Sequence, residues 1–136
     1  EKWKKNGNVI DKWFYAQAKH TQPKKSVNIV DKLTKHNSFD LTNPNRFKSV
    51  IGAFASSNLA GFHQKDGEGY KLVTDWLMKL DAVNPQTTAR VCTVFDNWRI
   101  FDITRQTRMK TNLLRLSKMP NISKNTYEIV NSILNK

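Results

Sequence analysis

The sequence predicts an all-α fold. Apolar residues recur at three- and four-residue steps along nearly the whole chain, and no segment alternates with a period of two between hairpin turns. Two Asn-Pro pairs, Asn43-Pro44 and Asn84-Pro85, place a capping side chain directly before a proline suited to the first helical position. With 136 residues, 38% of them hydrophobic, the chain can bury one core, so a single helical domain over 1–136 is expected. About seven helices joined by short connections imply antiparallel pairs, stacked as an α-α superhelix or an irregular bundle. No repeat of fixed period occurs, which argues against a regular tetratricopeptide or ankyrin array.

The elements follow in order. Val9, Ile10, Trp13, Phe14 and Gln17 share one helical face, and Ile29, Val30 and Leu33 form a shorter stripe. Phe47, Val50, Ile51 and Phe54 make a third helix, opened by Asn43-Pro44. "SNLAGFHQKDGEG" (57–69) holds three of the five glycines and reads as the main irregular connection, with one short helical turn inside it. Val73, Trp76, Leu77 and Leu80 mark a fourth stripe. Thr87, Val91, Val94, Phe95 and Trp98 mark a fifth, opened by Asn84-Pro85. Met109, Leu113 and Leu116, then Tyr127, Val130, Ile133 and Leu134, mark the last two, with Asp102 and Ser123 as their caps and "MPNIS" (119–123) as the linker.

Charge is the unusual feature. A net charge of +12 suits a nucleic acid, an acidic partner or an anionic surface. Yet the basic residues are spread along the chain, and the densest clusters, "KWKK" at 2–5 and "PKKS" at 23–26, are short. A solvated basic surface is therefore preferred, and specific nucleic-acid binding is not expected. No apolar run reaches the length of a membrane span. Cys92 is the single cysteine and sits among apolar residues, which points to an inert core thiol and a reducing, cytoplasmic compartment.

Chemistry-bearing motifs are scarce. His20, His36 and His63 have no second ligand at helical spacing, so no metal or cofactor is expected on this chain. In "HQKDGEG" (63–69), Asp66 is better suited to opening the next helix than to acid-base work or calcium binding. Neither G-x-S-x-G nor a phosphate-binding glycine loop is present. The run "NPQTTAR" (84–90) stands out because a carefully opened helix presents Gln86 and Arg90, four residues apart on one face.

Three stretches carry a resemblance: "DKWF" (11–14), "NPNRFKSVIGAFASSNLAGFHQKDGEGY" (43–70) and "NPQTTAR" (84–90). Together they resemble the C-terminal helical domain of aminopeptidase N, a bacterial-type zinc aminopeptidase of the gluzincin group, in unbroken register from about Asn6 onward. The opening "EKWKKNGNVIDKWF" also reads as joined to preceding structure, so the chain is expected to be a piece of a larger enzyme. The resemblance implies paired antiparallel helices curling into a bowl. It implies that zinc and its H-E-x-x-H ligands belong to a catalytic domain elsewhere in the same polypeptide. It also implies that this domain covers the active-site cavity, gates access and lends polar side chains to peptide substrates.

Gln86 and Arg90 match positions that line that cavity, and Arg46 and Lys48 form a second candidate pair for substrate binding. The family pattern implies Arg at position 48. Lysine keeps the charge but loses the planar fork. Two other functions compete: a helical-repeat module binding nucleic acid or an acidic protein, and a domain that only packs against its neighbour. As a piece of a stack, the chain is expected to expose an apolar edge around Val9, Ile10, Trp13 and Phe14 and to self-associate.

Overall fold

The computed structural model describes residues 7–136, and every regular element among them is helical. The basic cluster at 2–5 and the start of the resemblance at Asn6 lie outside the described residues. The chain divides into two compact units, one ending at Gln64 and one spanning Lys65–Lys136. No helix among the described residues is long and apolar enough to cross a membrane.

In the first unit, α1 (Gly7–His20) is followed by a 3-10 turn (Pro23–Lys25) and α2 (Ser26–Thr34). The buried face of α1 is Ile10, Phe14 and Ala18, each fully buried and four residues apart. This shifts the expected stripe. Val9 is 40% exposed and Gln17 is exposed, while Trp13 is half-buried beside Phe14 and the ring of His36. The expected apolar edge at α1 is thus largely absorbed by the unit's own core. Val30 and Leu33 are buried on α2, with Ile29 half-buried.

The third predicted stripe is buried throughout, but its helix is not uniform. α3 (Pro44–Phe47) runs into a π-helical turn (Lys48–Gly52) and then α4 (Ala53–Ser57). Phe47, Val50, Ile51 and Phe54 are fully buried, and Ala53 and Ala55 are buried beside them. The wider turn rotates the helix, so more of its circumference meets the core than a single α-helical stripe allows. At roughly 1.5–3 kcal/mol for each large apolar side chain, this segment is a main source of the unit's stability.

The glycine-rich connection contains a short helix, α5 (Leu59–Phe62). Asn58 organises it. Its Oδ1 accepts from Gly61 N–H at 3.1 Å, and its Nδ2 donates to the carbonyls of Ala18 and Thr21, both at 3.0 Å. One buried amide therefore starts α5 and satisfies carbonyls at the end of α1. Gly61 is held so close that an added Cβ would lie 2.5 Å from Ser26 Oγ.

The second unit holds α6 (Glu68–Asp81), α7 (Pro85–Cys92), α8 (Ile103–Ser117) and α9 (Lys124–Leu134). Gly67 precedes α6 at φ 75°, the left-handed region that glycine enters without steric cost. Gly67 rather than Asp66 is the N-cap of this helix, and the Asp66 carboxylate, one position earlier, accepts from Glu68 N–H at 3.0 Å. Val73, Leu77 and Leu80 are fully buried on α6, and Met109, Leu113 and Leu116 on α8.

The fifth stripe spans more than one element. After Cys92 the chain tightens into 3-10 turns at Thr93–Phe95 and Trp98–Ile100, which carry Phe95 and Trp98 inward. Val94 is half-buried, and the Trp98 indole donates to the Ile133 carbonyl at 2.9 Å. On α9, Val130 and Ile133 are buried as expected. Tyr127 is 50% exposed, and its neighbour Thr126 is buried instead.

All four predicted caps form. The side chains of Asn43, Asn84, Asp102 and Ser123 accept from the backbone N–H three residues on, at 3.0–3.2 Å. Ser123 is itself held from α6. The Asp81 carboxylate accepts from Ser123 N–H at 2.7 Å, Ser123 Oγ at 2.7 Å and Thr126 Oγ1 at 2.6 Å. Asp81 is only 3% exposed, so three donors replace the water it gives up.

Candidate functional site: a polar groove between α7 and α9

Asn84 Oδ1 holds Thr87 N–H at 3.0 Å and Pro85 fixes the first turn of α7, so the helix starts in one defined register. Thr87, Thr88, Val91 and Cys92 then face inward, and Gln86 and Arg90 are exposed on the opposite side. They line a depression of about 640 Å³ together with Ala89 and Thr93 on one wall and Asn125, Glu128, Ile129 and Ser132 on the other. The second wall is α9, held at its start by Asp81 and at its end by Trp98 and by Arg99, which donates to the Leu134 carbonyl at 2.8 Å. The Arg90 guanidinium has neither a hydrogen bond nor an ion pair among the described residues.

The other two sequence-predicted residues lie in the first unit. Arg46 is largely covered, its Nε donating to Asp11 at 2.9 Å and its Nη1 to the Ser38 carbonyl at 2.7 Å. That guanidinium ties α1, the chain after α2 and α3 to one another. Lys48 is exposed at the start of the π-helical turn and borders a shallow depression with Asn8, Asp11, Tyr15, Asn45 and Ser49. The structure thus brings Gln86 and Arg90 together as solvent-facing groups, and separates Arg46 from Lys48 in role.

A larger depression, about 750 Å³, lies between α6 and α8. Two of its three cations are spent: Arg115 donates to Asp75 at 2.6 Å and Lys71 to the same carboxylate at 3.1 Å, while the aliphatic stem of Arg108 lies against Gly67. The smaller groove is the one lined by the sequence-predicted pair Gln86 and Arg90. The Cys92 thiol is pushed up to about 12, first by burial and then by the nearby Asp81, which leaves it protonated and unreactive. No three His, Cys, Asp or Glu side chains among the described residues converge as a metal site requires. Trp98 is buried and Trp76 carries Lys79 over its ring at 4.4 Å, so neither belongs to an open base-stacking row.

Stacked helices with an exposed polar groove define a helical-repeat domain, and residues 1–135 match the family described as "Domain of unknown function (DUF3458_C) ARM repeats". The chain belongs to this family, the C-terminal helical domain of aminopeptidase N. It is 43% identical over 135 residues to aminopeptidase N of Haemophilus influenzae, covering 98% of this chain and 15% of the relative. It is 41% identical to aminopeptidase N of Escherichia coli over the same shares. Among solved structures it resembles Legionella pneumophila aminopeptidase A, crystallised with aspartic acid, with a TM-score of 0.90 and 33% identity over 98% of this chain and 15% of that one. The chain spans about 15% of the length of these relatives.

Proposed function

We propose that residues 1–136 serve as one helical domain of a zinc-dependent aminopeptidase that releases N-terminal residues from peptides. The domain covers the active-site cavity, limits access to it and contacts the peptide beyond the cleaved bond. The observation that carries this reading is the exposed pair Gln86 and Arg90 on the opening turns of α7, with the guanidinium uncommitted. A planar, always charged fork suits a peptide carbonyl or a free carboxylate, and the Gln86 amide can donate to or accept from the neighbouring peptide group. The exposed Lys48 ammonium would give a second, less directional cationic contact.

The partner of this domain is the catalytic part of the same polypeptide, and zinc held there would polarise the scissile carbonyl. The residues of this chain make and break no bond. They orient the substrate and keep water and long or folded chains from the cavity.

Arg90→Ala in the complete polypeptide tests the proposal. Peptides reach past the cleaved bond, whereas single-residue anilides do not. The substitution should therefore reduce kcat/KM for peptides by about 1–3 kcal/mol more than for anilides. Equal losses on both substrate types would return Arg90 to the ordinary surface.

A further inference from the structure

The groove has a second charged wall. Every aspartate of the chain has a donor within 3.2 Å: Asp11, Asp31, Asp75, Asp96 and Asp102 from cations, and Asp40, Asp66 and Asp81 from hydroxyl or backbone groups. Glu128 differs. Among the described residues its carboxylate reaches only Lys124, at 4.0 Å, and both side chains are largely exposed. A pair with that geometry is weak and readily exchanged. Glu128 lines the same depression as Arg90, on the facing helix, and the two do not pair with each other. One groove therefore holds an uncommitted cation and an almost uncommitted carboxylate on opposite walls.

Between the charges lie Asn125 and Ser132, which can donate and accept, and Ile129, which supplies an apolar strip. The depression has a volume of about 640 Å³ and is open to solvent, as suits a chain lying along it. An extended peptide fits this chemistry, because its carbonyl and N–H groups need both kinds of partner and its side chains project alternately. A ligand carrying only negative charge would satisfy Arg90 but meet Glu128. On a chain of net charge +12, an accessible carboxylate inside the groove works against anions and towards cations.

We propose that Glu128 is a specificity-determining residue of this groove, receiving a Lys or Arg side chain of the peptide downstream of the cleaved bond. The inference rests on the reading of Arg90 and Gln86 as peptide contacts, and adds which peptides the groove favours.

The test uses the complete polypeptide and matched tetrapeptides that differ only in carrying Lys or Glu downstream of the first residue, scanned over the three remaining positions. At one position the Lys peptide should be favoured in kcat/KM by about three- to fivefold, the size of an exposed ion pair. Raising the salt concentration should shrink that ratio. Glu128→Gln should bring it to about one, and Glu128→Lys should invert it. Because Glu128 is exposed, neither change removes a core contact, and circular dichroism verifies folding. A ratio near one at every position in the wild type, or a wild-type ratio retained in Glu128→Gln, overturns the inference. If Arg90→Ala selectively impairs peptides while the Glu128 variants keep the wild-type ratio, only this inference falls. If Arg90→Ala acts equally on peptides and anilides, the underlying reading falls first.

Discussion

Replacing Asp81 with alanine should loosen the wall of the groove from a distance. The carboxylate accepts from Ser123 N–H, Ser123 Oγ and Thr126 Oγ1 at 2.6–2.7 Å, and so fixes the first turn of α9, which carries Asn125 and Glu128. Hydrogen bonds to a charged group contribute about 1.5–3 kcal/mol each, but three that share one acceptor do not add. Ser123 is only half-buried and can turn to water, whereas Thr126 is fully buried and its hydroxyl would stay unsatisfied at a cost of about 1–3 kcal/mol. Losing a negative charge at a helix N-terminus adds about 0.3–1 kcal/mol. Relief of the carboxylate's own desolvation offsets part of the sum.

The balance is a loss of about 3 kcal/mol, measured by urea unfolding of the 136-residue chain followed by far-ultraviolet circular dichroism. Asp81→Asn should cost less but not nothing, since the neutral amide loses the charge assistance and its N–H2 is met only if the Ser123 and Thr126 hydroxyls turn to accept. In a double-mutant cycle, Asp81→Ala and Ser123→Ala should couple by about 1–2 kcal/mol. A loss below about 1 kcal/mol for Asp81→Ala, or additive effects in the cycle, would refute the view that Asp81 holds α9.

Two glycine substitutions should part company. Gly61→Ala drives a methyl to within 2.5 Å of Ser26 Oγ and 2.9 Å of Asn58 Oδ1, and should cost about 1–3 kcal/mol by the same urea titration. Gly52→Ala meets nothing nearer than Lys48 Cβ at 3.5 Å and should be neutral or stabilise by about 0.4–1 kcal/mol. The buried Cys92 thiol should resist a thiol-specific reagent at pH 8 in the native chain and react fully once urea unfolds it. At Asp75, burial works to raise the carboxyl, but hydrogen bonds from Arg115 and Lys71 outweigh it, so the group lies below its ordinary 3.8. Its stabilising contribution is therefore complete at neutral pH and lost as pH falls from about 4 through the folded value. Arg115→Met should cost about 0.5–1 kcal/mol at pH 7, and the deficit should narrow as pH falls through the folded value of Asp75.

The parts legible in the sequence are those set by near neighbours. A cap needs only a side chain and the N–H three residues on, so Asn43, Asn84, Asp102 and Ser123 could all be assigned from local spacing. The pairing of Gln86 with Arg90 is likewise a property of one helix. Three features depend on distant residues and leave no local trace. Asp81 sits 42 positions from Ser123 and reads as the polar end of an apolar stripe. Asn58 bonds back to Ala18 across 40 positions, and in sequence it is merely part of a glycine-rich connection.

The α9 wall of the groove is the third case, because nothing near Arg90 in sequence names Glu128 as its companion. The misplaced faces have a physical cause too. Apolar spacing places Val9, Gln17 and Tyr127 inside, but each lies beside the buried arc of its helix, where the adjacent residues Ile10, Ala18 and Thr126 take the inward positions. The description of the family as ARM repeats accords with the stacked helices, although no fixed period survives in the residues.

The most direct measurement is a crystal structure of the complete polypeptide bound to a non-hydrolysable peptide analogue at least three residues long. Gln86 and Arg90 should face the catalytic cavity, with the Arg90 guanidinium about 2.7–3.2 Å from a peptide oxygen beyond the scissile position. A structure in which Arg90 points to bulk solvent, or is sealed against a neighbouring domain away from the peptide, would contradict this placement.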